Sequence, residues 1–183
     1  MCFLTTDLDE NDADARQITQ RLYDNDPGRR VAQYIVLGAG GARLLEELKV
    51  DPDVWHLNEA HALSAAFRVL EQHDGDAEEV RKRFVFTTHT PEEAGNEKHD
   101  FNLLKNASFF GGLDEQTVRE VTGIHDGIFN HSLAALRMSR KANGVSKLHG
   151  EVSRNMWGDY ENICPIGHVT NAQNARYWKD RGL

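Results

Sequence analysis

The sequence predicts an α/β fold in which parallel strands alternate with helices and the second half is helix-rich. Three observations predict it. Short apolar runs alternate with helical periodicity along most of the 183 residues, the run FVFTT at Phe84–Thr88 has the make-up of a strand buried on both faces, and His, Asn and Thr residues gather just past the apolar runs, where open sheets bind ligands.

Taken in order, Cys2–Thr6 (CFLTT) reads as a strand that ends in an acidic loop, and residues 13–24 read as a helix with Ile18 and Leu22 one turn apart. A longer helix begins near Asp26-Pro27, with proline at its favoured first position. The Asp51-Pro52-Asp53 turn leads into a strand through Val54, Trp55 and Leu57, and AHALSAAFRVLEQH follows as an amphipathic helix with Leu63, Ala66, Phe67 and Leu70 on one side. Pro91 closes the FVFTT strand. Residues 98–128 read as short helices joined by Gly111-Gly112 and Gly123, one of them capped by Asp114. NHSLAALRMSRKA reads as a helix ended by Asn143-Gly144, VSKLHGEVSRNMW as strand, turn and helix, and Ile166–Thr170 as a last strand.

The glycine cluster in QYIVLGAGGARLLEEL invites a dinucleotide-binding reading, with Glu59 as the acidic residue roughly twenty positions on. The third glycine position of that fingerprint falls on Arg43, where close packing demands Gly or Ala. Val31, Ile35, Leu45 and Leu48 instead fit the spacing of one continuous helix, in which the glycines let a neighbouring element approach. An NAD(P)-binding Rossmann protein therefore ranks below the readings that follow.

Composition narrows the classes. A net charge of -8 with 39% hydrophobic residues describes a polar globular chain. The one basic cluster, Arg137 to Lys147, shares its helix with core leucines and is no nucleic-acid footprint. No apolar run reaches the roughly 18 residues of a membrane span. Cys2 and Cys164 are too few for a disulfide framework, which suits a cytoplasmic location. The nine histidines fall into no HExxH or Cys-rich pattern, so no metal site is expected.

Three stretches place polar groups past apolar runs: WHLNEAHA, FTTHTP and GHVTNA. Asn58, His61, His89 and Asn171 are the resulting candidates for one shared crevice. No nucleophile elbow accompanies them.

Together with LRMSRKANGVSKLHGEVSRNMW and PIGHVTNA…YW, these stretches resemble, in order and spacing, the α-glucan (glycogen/maltodextrin) phosphorylase family, particularly its bacterial branch. The resemblance implies residues 1–183 of a partial N-terminal, glucan-binding lobe: part of the first Rossmann-like lobe of a GT-B glycosyltransferase, with the C-terminal cofactor lobe absent. It implies an α-1,4-glucan or maltooligosaccharide partner, and phosphorolysis to glucose 1-phosphate in the full-length family. There pyridoxal phosphate is held by a lysine of the second lobe; no cofactor is expected on this chain alone. By the same resemblance His89 and Asn171 contact the glucosyl unit, His61 with Asn58 and Glu59 lines the acceptor path, and Asn143 and Gly144 shape a strand start beneath the crevice. The departures are Ala60 and Ala172 in place of turn glycines, where a Cβ competes with positive φ or close ligand approach, His131-Ser132 where the family usually reads Met-Thr, and Asn174 in place of histidine. The expected function is a fragment of an α-1,4-glucan phosphorylase, inactive alone; the alternative is a non-catalytic glucan- or partner-binding module. Missing neighbours predict exposed apolar surface or a bare sheet edge, and self-association.

Overall fold

A computed structural model describes residues 3–172 and 174. In chain order the elements are α1 (Pro27–Ile35), a π-helical turn (Val36–Gly40), α2 (Gly41–Glu47), β1 (Trp55–Asn58), α3 (Ser64–Gln72), α4 (Ala77–Arg83), β2 (Phe84–Thr88), β3 (Lys98–Asp100), α5 (Phe101–Asn106), α6 (Glu115–Thr122), β4 (Ile128–Asn130), α7 (His131–Arg137), β5 (Lys141–Gly144), α8 (Lys147–Trp157) and β6 (Ile166–His168). The fold is α/β: a four-stranded sheet in the order β1-β2-β5-β6, with every pairing parallel, and a separate antiparallel pair, β3-β4. Among the described residues no helix is long and apolar enough to cross a membrane.

Parallel pairing aligns all strand ends on one side of a sheet. Here Asn58 lies opposite Thr87, Thr87 opposite Asn143 and Asn143 opposite Gly167, so four chain exits share one edge. Below that edge Leu57, Phe84, Phe86 and Ala142 are buried. The predicted face of α3 is confirmed, with Leu63, Ala66, Phe67 and Leu70 fully buried. Phe67 meets Phe110 edge-on at 5.0 Å, and Phe110 contacts Phe101 and Phe129 at 5.0 and 5.3 Å, which ties β3-β4 to the main core.

The glycine-rich stretch is helical throughout. Asp26 caps α1 by accepting from the Arg29 N–H, with Pro27 in the first turn as expected. Helix continues through the π turn into α2, so no phosphate-binding loop forms. Gly38 lets α3 approach: a Cβ there would lie 2.2 Å from Ser64 Oγ and 2.6 Å from the Ala62 carbonyl oxygen. Gly41, by contrast, would bring a Cβ against nothing within 4 Å. Ser64 completes the joint. Its hydroxyl donates to the Tyr34 carbonyl at 3.0 Å and accepts from the Ala39 N–H at 3.0 Å, satisfying backbone groups at the π turn.

Several expectations are corrected. Of the predicted Cys2–Thr6 strand, Cys2 lies outside the described residues and residues 3–6 form no ladder, because Thr6 donates its N–H to the Thr19 hydroxyl and its carbonyl closes a turn onto Leu8. Residues 13–24 hold only a short 3-10 turn, Ala15–Gln17, since the Asp12 carboxylate binds the Asp14 and Ala15 N–H groups and Leu22, which should have been an inner residue, is 84% exposed. The 130–142 helix stops at Arg137: Arg140 donates to the Phe84 carbonyl and Ala142 to that of Pro165, which pulls the chain into β5. Asn143 and Gly144 therefore end a strand; they neither end a helix nor start a strand. No strand forms at Val145; Ser146 caps α8 directly, accepting from the His149 N–H. The β3-β4 pair was not anticipated.

Gly38→Ala should destabilise the chain by about 1–3 kcal/mol through overpacking against α3, whereas Gly41→Ala should be neutral or stabilising by up to about 1 kcal/mol. Urea unfolding of the two variants checks this pair of opposite signs.

Candidate functional site

Past the end of β1 the chain turns sharply. Glu59 has φ 59° and ψ 175°, a region that is nearly glycine-only and costs about 1–3 kcal/mol for other residues. Its N–H donates to the Thr87 carbonyl at 2.9 Å, and its carboxylate accepts from the His89 N–H and from Thr90 Oγ1, so the exits of β1 and β2 are laced together. The positive φ thus falls on Glu59, one residue before Ala60, which sits in a 3-10 turn; Ala172 does not have positive φ either. The concern about Cβ atoms and positive φ at those two alanines does not apply.

The next strands continue the polar edge. Thr87 Oγ1 donates its one proton to Asn143 Oδ1 at 3.0 Å and therefore accepts from His56 Nε2 at 2.8 Å. Gly144 is buried because α8 lies against it: a Cβ would stand 2.8 Å from the Gly150 nitrogen. Asn171 donates its N–H to the Val145 carbonyl, which fixes the chain after β6 beside the end of β5. Asn58, His89 and Asn171 are exposed; Glu59, His61 and Asn143 are half-buried. With strands about 4.8 Å apart, the edge from β1 to β6 is ~14 Å long.

Glu59 and His61 open onto a small pocket of about 90 Å³, which Tyr34, Glu97, His131 and Ser132 also line. Asn58, His89, Asn143, Gly144 and Asn171 lie along the sheet edge outside it. The structure therefore gathers the sequence candidates on one rim, with only Glu59 and His61 in the pocket.

Behind His61 lies a polar cluster that sequence reasoning missed. Tyr34 donates its hydroxyl to Glu97 Oε2 at 2.6 Å, and Arg30 holds the same carboxylate with Nε 2.9 Å from Oε1. The Tyr34 ring is 5.0 Å from that of His61. His99 Nδ1 and His131 Nε2 share a hydrogen bond of 2.9 Å. Burial holds the imidazoles of His61 and His99 below the usual histidine range, against the pull of Glu97. Burial, reinforced by repulsion from His99 and His61, pushes His131 down to about 3. Burial followed by the bond to Glu97 raises the Tyr34 phenol. The cluster is thus neutral apart from the Arg30–Glu97 pair. The histidine count was the one available signal, and it did not say which histidines meet, because β3 was unrecognised.

Among the described residues no group of three or more His, Cys, Asp or Glu is placed to hold a metal ion. Exposed apolar side chains, Phe3, Leu22 and Leu37 among them, gather around a wider groove of about 510 Å³ on the other side of Tyr34 and His61.

No protein-family profile matches the chain. It is similar over nearly its whole length to parts of longer proteins: 43% identical to an uncharacterised protein of Methanocaldococcus jannaschii, across 97% of this chain and 33% of that one. It is 34% identical to the maltodextrin phosphorylase of Thermococcus litoralis (96% of this chain, 23% of that enzyme) and 36% identical to the glycogen phosphorylase of Aquifex aeolicus (96% and 28%). Over nearly its whole length the chain is thus similar to one part of each of these two phosphorylases. It spans a third or less of the length of these relatives.

The histidine cluster sets an acid limit on stability. His131 has a folded pKa of about 3, below the value of about 6.5 expected in the unfolded chain, so the unfolded state binds more protons below pH 6.5. Its contribution is fully present above that pH and is lost as pH falls towards 3, at about 1.4 kcal/mol per pH unit. Unfolding free energies measured between pH 7 and 5 should fall, and His131→Met should flatten that slope.

Proposed function

We propose that this chain is a glucan-binding part of an α-glucan phosphorylase-like glycosyltransferase, belonging to the first lobe of a GT-B architecture, and that it binds α-1,4-glucan along the carboxyl edge of its parallel sheet. The observation that carries this reading is the similarity to maltodextrin and glycogen phosphorylases across 96% of the chain. The geometry supports it. Sugar hydroxyls need fixed donors and acceptors on rigid elements, and the rim supplies Asn58, His61, His89, Asn143 and Asn171 from successive strand exits. In this reading His89 and Asn171 hold the glucosyl unit and Glu59 and His61 line the acceptor path, with Glu59 doing so by locking the two loops together. Gly144 acts indirectly, by letting α8 pack close beneath Asn143.

The resemblance also implies pyridoxal phosphate. Every described lysine is exposed and none lines the pocket; no residue described here fits the role of a buried Schiff-base lysine. In this reading the described residues serve binding and positioning, and the lysine that would hold the cofactor lies outside them. The exposed apolar groove beside Tyr34 is suited to association with a further domain or a second copy.

Isothermal titration of maltopentaose into the 183-residue chain should show saturable binding, and His89→Ala and Asn171→Ala should each weaken it about tenfold, the equivalent of one good hydrogen bond. Calorimetry is the suitable probe because Trp55 stacks on Phe84 at the far end of β1 from the rim. Incubation with glucan and phosphate should release no glucose 1-phosphate; steady turnover by the chain alone would contradict the reading, and absence of binding would remove its basis.

A further inference from the structure

The peptide unit between Gly144 and Val145 is gripped from both sides. Its carbonyl, on Gly144, accepts from the Val169 N–H at 3.0 Å and from Asn143 Nδ2 at 3.2 Å, and its N–H, on Val145, donates to Nδ1 of His149 at 3.2 Å. The next carbonyl, that of Val145, receives the Asn171 N–H at 2.9 Å. Because a peptide is planar, turning its N–H away from His149 would also turn its carbonyl away from Asn143 and Val169. One imidazole therefore bears on the chain past β5, on the chain past β6 and on the Asn143 side chain. Gly144 gives it room: a Cβ there would stand 3.1 Å from His149 Cγ.

His149 is costly in this place. Accepting at Nδ1 puts the proton of the neutral ring on Nε2, which is buried with no partner among the described residues. A leucine would avoid that cost and leave the Val145 N–H without its acceptor. Helix capping alone does not explain the bond. Ser146 caps α8 by accepting from the His149 N–H at 3.0 Å, and in a capping box the third-position side chain returns to the N–H of the cap residue itself. His149 reaches one residue further back, to Val145, in the chain that carries the rim. We propose that His149 is a positioning residue for glucan binding: buried beneath the rim, it touches no sugar, and its Nδ1 fixes the Gly144–Val145 peptide from which Asn143 and Asn171 take their places. The inference rests on the glucan-binding reading and adds the group that holds two of its residues.

The test compares His149→Asn, whose Oδ1 stands as many bonds from the backbone as Nδ1 and keeps the acceptor, with His149→Leu, which removes it. In titration calorimetry with maltopentaose the leucine variant should bind about tenfold more weakly than the unaltered chain, the equivalent of one good hydrogen bond, and the asparagine variant should return to within about threefold. In the sugar-free proteins the amide resonances of Val145, Val169 and Asn171 should move in the leucine variant and return in the asparagine variant, while those of Asn58 and His89 stay in place. A role confined to packing or to the end of α8 would leave the sugar affinity of the folded chain unchanged. Should the leucine variant fold poorly, the unaltered chain carries the test: its His149 Nδ1 resonance should be that of a hydrogen-bonded acceptor and should shift together with the Asn171 amide as maltopentaose is added. Leucine and asparagine variants that bind alike, or an Nδ1 resonance that stays still while the Asn171 amide moves, overturn the proposal and leave glucan binding standing. An unaltered chain that binds no maltooligosaccharide overturns both.

Discussion

Parallel pairing in register is the constraint on which the rest of this structure depends. Because β1, β2, β5 and β6 all run the same way, every loop that leaves them emerges on one edge, and side chains far apart in sequence become neighbours. Leu57, Phe86 and Ala142 make this arrangement stable by being buried just below that edge. The loops are then held by their own polar groups. Glu59 adopts a backbone conformation that opposes its side chain, and it persists there because its N–H and carboxylate are both tied to the β2 exit. Strain retained at a strand exit suits a position whose geometry matters more than its stability.

The second constraint is the joint between the first helix and α3. Gly38 and Ser64 bring the π turn against the start of α3, and Ser64 satisfies the Tyr34 carbonyl. That contact sets Tyr34 beside His61 and within reach of Glu97. A helix that looked like a nucleotide-binding loop thus serves to wall a pocket. The absence of a β-branched or large residue at position 38 has a packing cause, whereas nothing in the packing demands glycine at position 41.

Much of the fold was legible in sequence because its signals are local. Asp26-Pro27, Asp114 and the periodic face of α3 all behave as their residue types require. The errors arose where tertiary pairing overrode a local pattern: residues 138–142 continue the helical composition of α7 but are drawn out by hydrogen bonds to Phe84 and Pro165. Three-residue strands such as β3 and β4 carry too little pattern to detect. On the site, the strand-exit residues were legible as a repeated polar motif. Tyr34, Glu97, His99 and His131 were not, since each sits singly in its own element and only long-range packing unites them.

The position of a bound glucan along the sheet is decisive. Amide and side-chain NMR shifts recorded during titration with maltopentaose test that most directly. The expected perturbations follow the sheet edge through Asn58–His61, Thr88–Thr90, Asn143–Val145 and Val169–Asn171. Saturable shifts confined to the opposite edge, around Trp55 and Lys141, or to the apolar groove around Leu22 and Leu37, would contradict it.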